Sequence, residues 1–149
     1  MGTMDEQSTV LLIEDNPDDA ALIQHAFRKA GIENPVFVVD DGDKAINYLL
    51  GQGEYADRRQ FPLPRLILLD LKLPRRSGTE VLSSIRTMAA VAHTPVIVLT
   101  SSNREDDIRK AYEAGANAYL VKPIGGDALV TMICSINDFW INQNRSPSR

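Results

Sequence analysis

The feature that most constrains the fold is the run Leu66 to Pro74, read Leu-Ile-Leu-Leu-Asp-Leu-Lys-Leu-Pro, in which branched apolar residues lead straight to a carboxylate, Asp70. A strand apolar on both sides belongs in the middle of a sheet covered on both faces. Its apolar part anchors it in a core, whereas an ionised carboxylate cannot stay there unpaired, so Asp70 is expected where the strand opens into a loop. In open α/β sheets the carboxyl ends of the strands form the edge at which ligands bind. Capping of the next helix is the plainer role for Asp70, but Pro74 and Ser77-Gly78 intervene before the next periodic segment.

The rest of the chain alternates around this strand. Thr9 to Ile13 reads as a strand ending in Glu14-Asp15-Asn16, and Pro17 suits the start of a helix running to about Lys29. Val36 to Val39 is a second strand. A helix opening at Asp41-Gly42 carries Ala45, Ile46, Leu49 and Leu50 inward, and residues 51–64, with Gly51, Gly53, Pro62 and Pro64, form an extended loop. After the central strand come a helix from Gly78 to about Met88, a strand from Pro95 to Leu99, a helix from Glu105 to Ala114, a strand from Ala118 to Val121 and a last helix from Asp127 to about Ile141. Five strands alternating with five helices predict an α/β fold, a single doubly wound parallel sheet with right-handed crossovers. Residues 1–8 read as a disordered leader, 9–141 as one domain and 142–149 as a polar tail, with no attached DNA-binding or enzymatic domain.

Composition narrows the function. A net charge of −4 with acids and bases interspersed gives no nucleic-acid footprint. The one cysteine, Cys134, excludes an internal disulfide and fits a reducing cytosol. No apolar stretch is long enough to span a bilayer, and the start lacks the order of a signal peptide, so a cytoplasmic location is expected, with no membrane partner. His25 and His93 have no ligand spacing to other His or Cys, and no nucleotide-cradling glycine loop is present.

If all strands end at one edge, that edge carries Glu14 and Asp15, then Asp70, then Thr100 with Ser101, then Lys122 followed by Pro123. Three carboxylates held together repel unless a cation lies among them, and Mg2+ takes one or two carboxylates while leaving positions for phosphate oxygens. With a hydroxyl and an ammonium added, the set suits an aspartyl phosphate formed on Asp70 as nucleophile, the metal and Lys122 offsetting charge on the transferring group. Taken singly, Glu14 or Asp15 could be a helix cap, Thr100 strand filler and Lys122 a solvated charge. Their coincidence at successive strand ends is what carries the reading.

The segments Ile13-Glu14-Asp15-Asn16, Leu69-Asp70-Leu71-Lys72-Leu73-Pro74, Val98-Leu99-Thr100-Ser101 and Tyr119-Leu120-Val121-Lys122-Pro123 resemble the signature of two-component response regulator receiver domains, over roughly Thr9 to Ile141. The resemblance implies a flavodoxin-like strand order and a histidine kinase partner that phosphorylates Asp70. It implies Mg2+ on Asp15, Asp70 and the backbone carbonyl of Lys72, with Glu14 acting through water. Thr100, Lys122 and the Ser101 backbone would contact the phosphoryl group, and Tyr119 would be an aromatic switch following Thr100. It also implies a cis peptide before Pro123. Glu14 departs from the aspartate common in the family, which lengthens that arm and keeps its charge. The long loop and extended last helix are similar to regulators paired with bacterial phytochromes, implying a light-sensing kinase. Such a protein is not an enzyme beyond self-phosphorylation and autodephosphorylation.

Other classes fit less well. A haloacid-dehalogenase-type phosphatase needs a second Asp two residues after the nucleophile, where Lys72 stands, and a flavodoxin phosphate loop would be repelled by Glu14-Asp15. A dimeric adaptor of receiver fold that works without phosphorylation is the alternative. On the last helix Leu129, Met132, Ile133, Ile136 and Trp140 make one apolar stripe, and Val130, Cys134 and Ile141 widen it. This excess predicts a homodimer through the last helix and last strand, with Trp140 as anchor.

Overall fold

The computed structural model describes residues 9–147. The leader expected at 1–8 and the last two residues of the tail lie outside them. Strands β1 (Val10–Ile13), β2 (Val36–Val39), β3 (Leu66–Leu69), β4 (Val96–Thr100) and β5 (Ala118–Val121) form one parallel sheet in the order β2-β1-β3-β4-β5. Helices α1 (Pro17–Lys29), α2 (Gly42–Leu50), α3 (Gly78–Ile85), α4 (Glu105–Ala114) and α5 (Gly126–Ile136) connect and flank it. This is the doubly wound parallel sheet expected from the alternation, in the flavodoxin-like strand order that the family resemblance implies.

Because successive strand residues point to opposite faces, β1 and β3 supply two cores at once. Val10, Leu12, Leu66 and Leu68 pack with Ala20, Ile23, Ala26 and Phe27 of α1 and with Leu129, Ile133 and Ile136 of α5. Leu11, Ile13, Ile67 and Leu69 face Ala45, Tyr48 and Leu49 of α2 and Val81, Leu82 and Ile85 of α3. No helix among the described residues is long and apolar enough to cross a membrane.

Local chemistry sets the helix ends. The Asn16 side chain accepts hydrogen bonds from the amides of Asp18 and Asp19, with Pro17 at the first helical position. Ser77 and Glu80 form a reciprocal capping box on α3. Helix α3 stops three residues before the expected Met88. The Thr87 hydroxyl bonds the Ser84 carbonyl at 2.7 Å, and the Thr87 and Met88 amides turn back to residues three positions earlier, so the chain tightens out of the α-helix. Leu50, expected inward, is 48% exposed, while Tyr48 takes the third inward position beside Ala45 and Leu49. The last helix changes winding at Asn137–Gln143, a π-helical segment. Five-residue winding stacks Ile141 over Ile136, which carries Ile141 into the core and away from the interface proposed for it. None of the described peptide bonds is cis, so the Lys122–Pro123 bond is trans, contrary to the family expectation. Trans is the lower-energy isomer of an X-Pro bond by about 0.5–1 kcal/mol.

The loop at 51–64 is built rather than loose. It contains a 3-10 turn at Gly53–Tyr55, and Tyr55 and Phe61 meet Tyr48 at ring-centroid distances of 5.2 and 6.0 Å. Arg58 donates to the Tyr48, Leu49 and Phe61 carbonyls, so it satisfies the C-terminal end of α2.

Gly78 fixes the approach of α3 to the end of β3. A Cβ there would overlap the Asp70 carbonyl oxygen and the Leu71 Cα, both backbone atoms that cannot rotate aside. Gly78→Ala is therefore expected to destabilise the protein by about 1–3 kcal/mol, read as a lower urea midpoint at unchanged m-value.

Candidate functional site

The strand order brings the carboxyl ends of β1, β3, β4 and β5 side by side. Ile13 lies opposite Leu69 and Thr100 opposite Val121, so the residues that follow emerge at one edge. Asp70 still belongs to the ladder through its amide, which donates to the Ile13 carbonyl at 3.0 Å. Asp70 is 8% exposed and its carboxylate is fully engaged. Oδ1 accepts from Thr100 Oγ1 at 2.9 Å and from the Lys72 amide at 3.3 Å, and Oδ2 accepts from Lys122 Nζ at 3.0 Å.

Lys122 joins the set. Besides Asp70, its ammonium donates to Glu14 Oε1 at 2.6 Å and to Asp19 Oδ2 at 2.9 Å. Its three protons thus meet three carboxylates. The other Glu14 oxygen accepts from the Asn16 amide at 3.1 Å. Burial pushes the Glu14 carboxyl up to about 7, and the neighbouring Asp70 charge adds to this against the opposing pull of Lys122. Burial acts to raise Asp70 too, but the bond and charge of Lys122, with the Thr100 hydroxyl, more than offset it and hold the carboxyl below its ordinary value. For Lys122, burial acts downward and the three carboxylates outweigh it, so the ammonium stays protonated.

One ammonium does not balance Glu14, Asp15, Asp19 and Asp70. Ligand oxygens of Glu14, Asp15 and Asp70 lie within 4.8 Å of one another, and an all-oxygen set of this kind suits a hard divalent cation. The Asp70 charge that adds to the burial of Glu14 acts in the same sense, since crowded carboxylates favour either a proton or a metal. The donor set therefore fits Mg2+.

The remaining expected residues gather at the same mouth. Asp15 is exposed on the β1–α1 loop, the Lys72 side chain is exposed while its backbone lines the β3–α3 loop, and Ser101 is exposed just past β4. Thr100 is fully buried as the last residue of β4, one position further into the strand than expected. Tyr119 is half-buried, and its hydroxyl donates to the Ser102 carbonyl at 2.9 Å in the β4–α4 loop. Val130 on α5 and Trp140 on the π-helical segment that follows are half-buried against the core, and Cys134 on α5 is half-buried.

Several participants escaped the sequence reading. Asp19 reaches Lys122 from the first turn of α1, where acids usually serve only the helix dipole. Ser102 donates to Asp107, tying the β4–α4 loop to the first turn of α4. Phe139 is 51% exposed and stacks edge-on against Trp140, with ring centroids 4.9 Å apart. The run Asn16-Pro17-Asp18-Asp19 was the available signal for Asp19, but the partner lies 103 positions away in sequence.

A family model for the response regulator receiver domain matches residues 10–134, and the chain belongs to that family. FilR2 of Methanothrix harundinacea, described as a probable methanogenesis regulatory protein, is 40% identical over 139 residues, 93% of this chain and 86% of FilR2. Response regulator Rcp1 of Synechocystis is 37% identical over 139 residues, 93% of this chain and 92% of Rcp1. Among solved structures, the phosphorylated cyanobacterial phytochrome response regulator RcpA matches with a TM-score of 0.86 and 38% identity, covering 95% of this chain and 99% of RcpA. A Mn2+-bound form of Rcp1 matches at 0.82 and 37%, with coverage of 95% and 99%. The receiver domain of a Pseudomonas aeruginosa sensor histidine kinase, 27% identical with a TM-score of 0.68 over 91% of this chain and 98% of its own, has a magnesium ion in its active-site cleft. The protein is a two-component response regulator, and its Glu14, Asp15 and Asp70 oxygens form an acidic cluster suited to a divalent cation.

A cation that binds only the folded state stabilises it by about 2.7 kcal/mol at a hundred times its Kd. Mg2+ at that excess is expected to raise Tm by roughly 5–10 °C over an EDTA-treated sample. Asp15→Asn, at an exposed position, should fold normally and lose most of that rise in a thermal melt.

Proposed function

We propose that Asp70 accepts a phosphoryl group from a phosphohistidine of a histidine kinase, in a Mg2+-dependent reaction. The observation that carries this reading is Asp70 itself: a carboxylate at a strand end whose oxygens face one hydroxyl and one ammonium, beside a crowded acidic pair. One Asp70 oxygen forms the new P–O bond, the P–N bond of the phosphohistidine breaks, and its electron pair returns to the imidazole. Lys122 offsets charge on the transferring group, and Thr100 and the Ser101 amide receive its oxygens; a Mg2+ held by Glu14, Asp15 and Asp70 would supply the remaining positive charge. The acceptor needs no activation by a base, since Lys122 and Thr100 already keep Asp70 ionised.

The signal leaves through the β4–α4 loop. Phosphorylation adds dianionic charge beside Thr100 and draws it inward, which alters the loop that holds the Tyr119 hydroxyl through the Ser102 carbonyl. Output is by docking on another protein, in the cytoplasm. The likeness to Rcp1 and RcpA over nearly their whole length supports a phytochrome kinase as the partner. A homodimer is formed by β5 and the end of the last helix, with Trp140 and the exposed Phe139 at its centre and Val130 and Cys134 beside them.

Intact-mass spectrometry after incubation with acetyl phosphate and Mg2+ tests the central claim. One phosphoryl on the wild type and none on Asp70→Asn is the expected result, and no uptake by a folded wild type would refute it. Thr100→Ala is expected to take up phosphoryl yet lose the phosphorylation-dependent change in Tyr119 fluorescence or NMR shift. In light scattering at tens of micromolar a dimer mass is expected, reduced to that of a monomer by Phe139→Glu.

A further inference from the structure

The ammonium of Lys122 has one acceptor that stands apart from the others. Glu14 and Asp70 belong to the acidic cluster with Asp15 that could hold a metal ion, whereas Asp19 does not. When a divalent cation draws on the Glu14 and Asp70 oxygens, both lose electron density to it, and the cation repels the nearby ammonium. Asp19 then remains as the carboxylate that keeps Lys122 in place, at 2.9 Å from Nζ.

Its own placement is fixed. Asp19 is the third residue of α1, and its amide donates to the Asn16 side chain at 3.0 Å, so the backbone beneath the carboxylate is pinned by the helix cap. The carboxylate is 38% exposed and Lys122 only 15%, so Asp19 meets the ammonium from the solvent side of the site. A long, flexible lysine stem would otherwise have rotameric freedom to withdraw toward water. We infer that Asp19 is a positioning residue for phosphoryl transfer, holding the Lys122 ammonium over the acceptor oxygen of Asp70 once the metal has engaged Glu14 and Asp70. This rests on the reading of Asp70 as phosphoacceptor.

The rate of phosphoryl uptake from acetyl phosphate with saturating Mg2+ tests it, compared among wild type, Asp19→Ala, Lys122→Ala and the double variant. Asp19→Ala is expected to slow uptake by roughly tenfold, the scale of a misplaced charge-stabilising group. Because Asp19 acts through Lys122, the double variant should be no slower than Lys122→Ala alone. A further loss of the same size in the double variant would make Asp19 merely structural and overturn the inference, as would a wild-type rate for Asp19→Ala. The Lys122 ammonium resonance in 15N-edited NMR of the Mg2+-bound protein provides a second readout that does not depend on uptake. It should be visible in wild type and exchange-broadened in Asp19→Ala, and an unchanged resonance refutes the proposal. Absence of uptake by wild type would instead count against Asp70 as acceptor and leave the NMR comparison to decide the role of Asp19.

Discussion

Everything at the site depends on one constraint: buried carboxylates at the edge of a sheet must be neutralised, and a single ammonium does most of it. Lys122 lies at the end of β5, Glu14 at the end of β1 and Asp70 at the end of β3, so three strands are tied together by one charged group. Removing one partner of such a set leaves the others with unpaired charge in a low dielectric, a much larger penalty than the net worth of the set when complete. The arrangement is therefore poor as a stabilising device and good as a responsive one. It is held at the point where adding or removing charge changes most.

The scaffold's contribution is placement. The apolar runs of β1, β3 and β4 are wholly buried, so the backbone at their ends has no freedom to move independently. Gly78 lets α3 come against the Asp70 carbonyl, and the Ser77–Glu80 capping box fixes where that helix starts. The connection after β4 is held by hydrogen bonds, from the Tyr119 hydroxyl to the Ser102 carbonyl and from the Ser102 hydroxyl to Asp107. A rigidly held carboxylate beside a less firmly packed loop is the contrast that differences in local stability follow.

Much of this was legible in the chain. The runs ending in Glu14-Asp15, Asp70, Thr100 and Lys122 gave the sheet, its orientation and the main site residues, because hydrophobic period and strand-end charge are local signals. Helix α1 was legible because Pro17 marks its start and its apolar spacing runs on to about Lys29, whereas its cap is Asn16 and not Glu14 or Asp15. What was not legible depends on contacts between distant segments. Asp19 looks like any acid in a first helical turn. Arg86 looks like a surface arginine, yet it donates to the Ala92, Thr94 and Gly115 carbonyls and to the Asn117 side chain, joining α3 to the loops before β4 and β5. The π winding after Ile136 carries no simple sequence mark, and it reversed the reading of Ile141.

The segment between α2 and β3 has an implication for how such domains are altered. Arg58 both closes that segment and satisfies the last carbonyls of α2, while Gly51, with its positive φ, faces the same guanidinium. Helix end and loop are thus a single unit sharing one cation. Shortening the loop by a few residues around Arg58 would unravel the last turn of the helix, whereas exchanging the whole of 51–64 together with Tyr48 would leave the sheet edge intact. Length here is modular: it can be gained or lost as a block, not trimmed by degrees.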